Sequence, residues 1–270
     1  MNILSDSSNA AVFDRRPLPL ARLLRAYAME AKFEMLGALR TTGFALPFIA
    51  APVAIYVLFA VVISGNAAAH SPLGPGIADY LFAGFAAMAA MMPGIFGGVI
   101  LAQEREGGLL KLKRAMPLPP GASIVAKMLM GMGIAALSVG LVVAAALFAG
   151  KLTIGLAQVM TIWLVLVLGT IPFSAMGLLI GAISSGSAAP AWGNLIFLPM
   201  MWLSGLFIPL PASLERWVIL WPAFHLDQLA LGLAGVKQFT YIPPALAAGV
   251  LVGCTVLFGG LAIRRLARTG

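Results

Sequence analysis

The chain has 270 residues, 61% of them hydrophobic and only 10% charged, with a formal net charge of +8 and a mean hydropathy of +1.01. That much apolar surface exceeds what a soluble domain can bury, which leaves an integral, polytopic membrane protein. The positive charge is not gathered on a folded basic domain, so a nucleic-acid partner is excluded as well.

The first residues, Met1 to Arg16, are polar and lack the apolar centre of a signal peptide. Residues 1–19 are expected to form a flexible tail. From Leu20 to Arg40 the pattern turns helical. Leu20, Leu23, Leu24, Tyr27, Ala31, Met35 and Ala38 fall on one stripe, with Arg22, Arg25, Lys32 and Arg40 opposite. A basic amphipathic helix beside a membrane lies in the headgroup plane.

Six stretches are long enough to cross a hydrocarbon core of roughly 30 Å: about 43–65, 79–102, 122–149, 153–183, 189–208 and 241–263. They lack the period-two alternation of barrel strands, so the expected fold is all-α. Pro47 and Pro52 in the first stretch, Pro93 in the second and Pro172 in the fourth are expected to kink their helices. Phe82, Phe85, Met88, Met91, Met92 and Phe96 concentrate in the second stretch, and such a cluster serves either helix packing or an adaptable apolar route. Asn194, in the fifth, either bonds to a neighbouring helix or faces a polar route.

After the fifth stretch come Gly205-Leu206-Phe207-Ile208-Pro209-Leu210-Pro211, Trp217 and Trp221-Pro222-Ala223-Phe224-His225-Leu226-Asp227. Aromatics and prolines in that arrangement suit short helices dipping into the interface, a re-entrant segment rather than a further crossing. Residues 266–270 form a second short tail. The basic residues set an orientation. Arg15, Arg16, Arg22, Arg25, Lys32, Arg40, Arg105, Lys111, Lys113, Arg114, Lys127, Arg264, Arg265 and Arg268 fall on one side, against Lys151, Arg216 and Lys237 on the other. By the positive-inside bias both termini are expected in the cytoplasm.

Chemistry is sparse. His70 and His225 have no ligand partners in sequence reach, Cys254 is alone, and no Gly-x-x-x-x-Gly-Lys-Ser/Thr loop is present. No catalytic residues and no metal site are expected. No acid or base sits at the middle of a span, which disfavours a carrier driven by protons or sodium. One segment stands apart: Gln103-Glu104-Arg105-Glu106-Gly107-Gly108-Leu109-Leu110-Lys111-Leu112-Lys113-Arg114-Ala115-Met116-Pro117. From Leu109 it reads as one or two helical turns with Leu109, Leu112 and Met116 on one face. Prolines 117, 119 and 120 end it. By itself the segment is either a positive-inside anchor or a surface that receives a push.

The run from Glu104 to Pro119, followed by Lys127, closely resembles the cytoplasmic loop of type-2 ABC transporter permeases, whose pattern is roughly E-R-E-x-G-T-L-x-x-L-x-x-x-P. Gly108-Leu109 departs from the usual Gly-Thr. The segment Ser204-Gly205-Leu206-Phe207-Ile208-Pro209, with Trp217, Pro222 and His225, resembles the family's re-entrant region. Together with the interfacial helix, the likeness covers nearly all of 20–265, expected to be a single permease domain.

The resemblance implies a permease that pairs with a second copy, as a homodimer, and docks separate cytoplasmic ABC ATPase subunits. ATP and Mg would be used by those subunits, and this chain would bind no cofactor. Glu104, Arg105, Glu106, Gly107, Leu109, Leu112 and Arg114 would form the ATPase-coupling surface. The second and fifth spans would line the substrate path, near Phe85, Met88, Met92, Asn194, Phe197 and Met201. The expected function is export of an amphipathic or hydrophobic compound such as a drug, lipid or glycolipid, from a bacterial inner membrane whose lipids surround the chain. The alternatives are a polysaccharide or ion exporter of the same family, or a membrane assembly or anchoring protein that transports nothing.

Overall fold

The computed structural model of the chain describes residues 19–59, 77–116, 119, 121–150, 152–207 and 217–269. Helices and their connections make up these residues, with no strand among them. In chain order they are α1 (Leu20–Arg40), α2 (Thr42–Phe59), α3 (Ile77–Glu106), α4 (Leu109–Ala115), α5 (Ala122–Ala149), α6 (Leu156–Leu168), α7 (Thr170–Ile183), α8 (Ala189–Leu203), α9 (Pro222–Leu233) and α10 (Pro244–Thr269). The expected tail 1–19 falls almost wholly outside the described residues. So do His70, Pro117, Pro120, the 208–216 part of the re-entrant segment and the last residues of the first expected span.

Among the described residues, five elements are long and apolar enough to cross a membrane: α2, α3, α5, α6 with α7 as one 28-residue unit, and α10. The fifth expected stretch is shorter than its composition suggests. α8 is helical over 15 residues, about 22 Å at 1.5 Å per residue, against a core of roughly 30 Å. It ends in a turn at Ser204-Gly205, where Gly205 takes φ 70°.

The prolines act unequally. Pro47 lies inside a π-helical stretch, Leu46–Ala50, and Pro52 stands two residues past its end, as expected where backbone donors are missing and the hydrogen-bond ladder must be re-spaced. Pro172 has no N–H to offer the carbonyl of Leu168, and the span breaks at Gly169, between α6 and α7. α3 runs through Pro93 as one helix.

α3 is the axis of the bundle, and almost its whole length is buried. It packs most intimately on α7, where glycines meet face to face. A Cβ on Gly98 would lie 1.7 Å from the Gly177 carbonyl oxygen, and one on Gly177 would lie 2.4 Å from that of Ile95. Small residues at a four-residue spacing, Gly94 and Gly98 against Gly177 and Gly181, let the two backbones touch. In a membrane, where apolar burial does not drive helices together, such contact is what holds them.

Two further ties close the bundle. At the start of α3, buried Asp79 accepts a hydrogen bond from Thr153 N at 2.9 Å and another from Thr153 Oγ1. Tyr80 O–H donates to the Gly205 carbonyl, joining α3 to the turn after α8. α9 is short and buried, and Gln228 Nε2 donates to Phe239 O at 3.0 Å while its Oε1 accepts from Tyr241 N at 2.7 Å. The expected dip between α8 and α10 therefore contains a helix embedded in the protein, anchored by its own polar side chain.

Candidate functional site

The helix ends carrying the charged segment all meet at one end of the bundle. There α3 stops because Gly108 takes φ 76°, a left-handed turn that any side chain would strain. α4 starts at once, with Lys111 N bonded to Gly108 O at 3.1 Å. The departure from Gly-Thr to Gly-Leu thus leaves the essential glycine in place.

Five charged side chains from four helices form one network. Lys127 Nζ, on α5, lies 2.8 Å from Glu104 Oε2 and 3.0 Å from Glu34 Oε2. Lys113 Nζ, on α4, lies 3.1 Å from Glu30 and 3.7 Å from Glu104, and it donates to Glu34. Lys127 is 1% exposed and Lys113 13%, so one cation is locked in and the other stands at the rim. Burial works to raise the Glu34 pKa, but Lys127 and Lys113 outweigh it and hold the carboxyl below its ordinary value. Burial likewise works to lower Lys113, and Glu34 and Glu104 overcome it, so the ammonium is held above its ordinary value.

The neighbours of Glu104 face the other way. Arg105 donates to the carbonyls of Ala182 and, at 2.5 Å, Ser184, satisfying acceptors at the C-terminus of α7. Glu106 Oε2 accepts from Gly186 N at 2.6 Å. The Glu-Arg-Glu triplet is therefore a bracket, with Glu104 holding α1, α4 and α5 and the next two residues holding the corner between α7 and α8.

Of the residues expected to form the coupling surface, Glu104 and Arg105 are half-buried and bonded inside the chain. Gly107, Leu109 and Leu112 are exposed, the last two at 42% and 61%. Exposed Met116 continues the Leu109 and Leu112 face, and Arg114 belongs to the same helix. Sequence reasoning missed Glu30 and Glu34. Their signal was present as an i, i+4 acidic pair on α1, facing the bundle beside Ala31, Met35 and Ala38. Leu20 and Leu24, on the apolar stripe of α1, are exposed at 69% and 59%.

The residues expected along a substrate path divide into groups. Phe85 joins an aromatic cluster with Tyr56, Phe59 and Phe207, its ring 4.5 Å from that of Phe207. Phe197 meets Phe96 at 5.9 Å, Phe96 meets Phe48 at 5.0 Å, and Phe48 meets Phe44 at 4.4 Å. That ladder runs from α8 across α3 to the foot of α2. Met88 and Met201 are buried in the same core, and Met92 packs against it. Asn194 stands apart on the exposed side of α8, its Nδ2 donating to Pro190 O at 3.1 Å within its own helix. It bonds to no neighbouring helix among the described residues.

Below the ladder lies a cavity of about 590 Å³. Phe44, Phe48 and Phe96 line one part of it, and Glu30, Glu34, Glu104 and Lys113 another. Among the described residues no group of three His, Cys, Asp or Glu side chains is placed to hold a metal ion.

The family model for the ABC-2 type transporter matches residues 27–227, three-quarters of the chain. The chain belongs to the ABC-2 type transporter family. It is thus an integral membrane subunit of an ABC transporter, a permease. No curated protein matches the chain. The match takes in the Glu-Arg-Glu bracket, α4 and the buried network, and it ends at Asp227 in α9.

Proposed function

We propose that this ABC-2 permease exports an amphipathic or hydrophobic compound, powered by a separate ATPase subunit that binds ATP and Mg and presses on α4. The charged end would face the cytoplasm of a bacterial inner membrane, and a second copy would complete the path. The observation that carries the reading is the division of labour on α4. Leu109, Leu112 and Met116 offer an exposed apolar face to a partner, while Lys113 on the same short helix grips Glu30, Glu34 and Glu104. A force on α4 reaches α1 and α3 directly, and α5 through the carboxylates shared with Lys127. The rigid-body tilt that alternating access needs would start there.

Phe85, Met88, Met92, Phe197 and Met201 give the interior a soft, apolar character suited to greasy cargo, and Asn194 would look toward the second copy. Because Glu104 and Glu106 are already bonded within the chain, docking is tested on Leu112. Leu112→Asp, reconstituted with its cognate ATPase, should insert and melt as the parent does yet lose stimulated ATP hydrolysis and efflux from proteoliposomes. Unchanged efflux would reject the docking role of α4, whereas no ATP-dependent efflux from the parent itself would favour a membrane protein that transports nothing.

A further inference from the structure

We infer that the cavity between α1, α2 and α3 is a binding site for the head of a cationic amphiphile, which gains its place by displacing Lys113. Three features converge. The site holds three carboxylates, Glu30, Glu34 and Glu104, against two ammonium groups, Lys113 and Lys127, so one negative charge is left over. Glu104 Oε2 is already paired with Lys127 at 2.8 Å, so the carboxylate oxygens open to a competing cation are those that Lys113 holds at the rim.

The second feature is shape. About 590 Å³ holds a headgroup with several methylenes, within the usual range of small-molecule sites. Its apolar wall is the foot of the aromatic ladder, Phe44, Phe48 and Phe96. Aromatic faces beside carboxylates favour an organic cation over an anion or a neutral sugar. The third is the identity of the rim residue. Lys127 is sealed in, whereas Lys113 lines the cavity and is the more exposed of the two. A ligand ammonium entering among the carboxylates competes with Lys113, and Lys113 belongs to α4. Occupancy of the cavity would thereby loosen the helix on which the ATPase is proposed to act.

This inference deepens the transport reading and rests on it for its meaning, but binding can be measured without any ATPase. The full chain in phosphatidylcholine nanodiscs would be labelled with a diazirine-bearing alkylammonium and, in parallel, with the alkanoate of the same chain length. Labelling of the exposed side of α10 at Val252 and Val256 gives the baseline for each probe. The ammonium probe should mark the Phe44, Phe48 and Phe96 segments about tenfold more than the alkanoate, the ratio that 1.4 kcal/mol supplies.

Gly37 lines the cavity and has open space where a Cβ would stand. Gly37→Phe should therefore fill the cavity, leave the melting temperature at or above the parent's, and abolish that labelling. Glu30→Gln should narrow the preference for the ammonium probe without moving the labelled segments. Equal labelling by both probes would overturn the cation preference, and undiminished labelling of Gly37→Phe would overturn the site. Either failure leaves the Leu112 docking test standing, and failure of that test leaves this binding measurable.

Discussion

Lys127 Nζ sits 2.8 Å from Glu104 Oε2, where the first turns of α5 cross the last turns of α3. With its side chain 1% exposed, Lys127 has no access to water, and among the described residues its charge is balanced by Glu104 and Glu34. Removing one member of such a pair leaves an uncompensated buried charge, which costs about 3–5 kcal/mol. Lys127→Met should therefore lower the unfolding temperature in detergent markedly. Lys127→Met combined with Glu104→Leu and Glu34→Leu should recover much of the loss. A silent single substitution would show that the network contributes nothing to stability.

The same network predicts a pH window. Glu34 is held below its ordinary 4.5, so its contribution is present above that value and lost as pH falls through the lower folded-state pKa. Lys113 is held above its ordinary 10.5, so its contribution is present below that value and lost as pH rises through the higher one. Melting temperature against pH should show a shoulder at each edge. Lys113→Met should remove the alkaline shoulder and blunt the acidic one.

Asp227 behaves in the opposite sense. Burial in α9 pushes its carboxyl up to about 7, a rise that the Gln228 hydrogen bond only partly offsets. Between its ordinary 3.8 and about 7 the folded chain keeps a proton that the unfolded chain releases. Its contribution to stability accordingly falls across that interval and is flat beyond it. Asp227→Asn should flatten this part of the profile and should be relatively most stabilising above pH 7. An unchanged slope in the variant would place the titration elsewhere.

A steric prediction concerns the seam of α3 and α7. With a Cβ at Gly98 only 1.7 Å from the Gly177 carbonyl, even one methyl group must force the backbones apart. Overpacking in a well-fitted core typically costs about 1–3 kcal/mol, and a clash with backbone has little room to relax. Gly98→Ala should lower the folded yield and melting temperature clearly. Gly249→Ala, on α10 with open space about it, should be neutral or slightly stabilising.

The contrast between these residues shows what one-dimensional reading can reach. Spans with a 20-residue apolar run announced themselves, because crossing a bilayer is a matter of length and hydropathy. α8 differs from these, since its composition is that of a span while its helix ends at Leu203. α4 was legible down to its first residue, marked by Gly108 before it and prolines after it. The network was not legible. Glu34 and Lys127 are 93 residues apart, and nothing local says that an acid on an amphipathic helix turns inward to meet a lysine that opens another. The resemblance places the Glu-Arg-Glu triplet on the coupling surface, and no local signal shows the bonds it makes within the chain. Its inward bonds to Ala182, Ser184 and Gly186 depend on the loose backbone acceptors and donor that the corner after α7 happens to present.

The glycine seam also decides which parts of the molecule are free to change. Helices in backbone contact cannot ratchet past one another without lifting out of their groove, so α3 and α7 form a common chassis. Whatever articulation the cycle uses must fall outside it: at the re-spaced turn beside Pro47, at the break after Leu168, or where α8 stops short at Leu203. Stiffening any one of those three by substitution would freeze a hinge while leaving the frame intact.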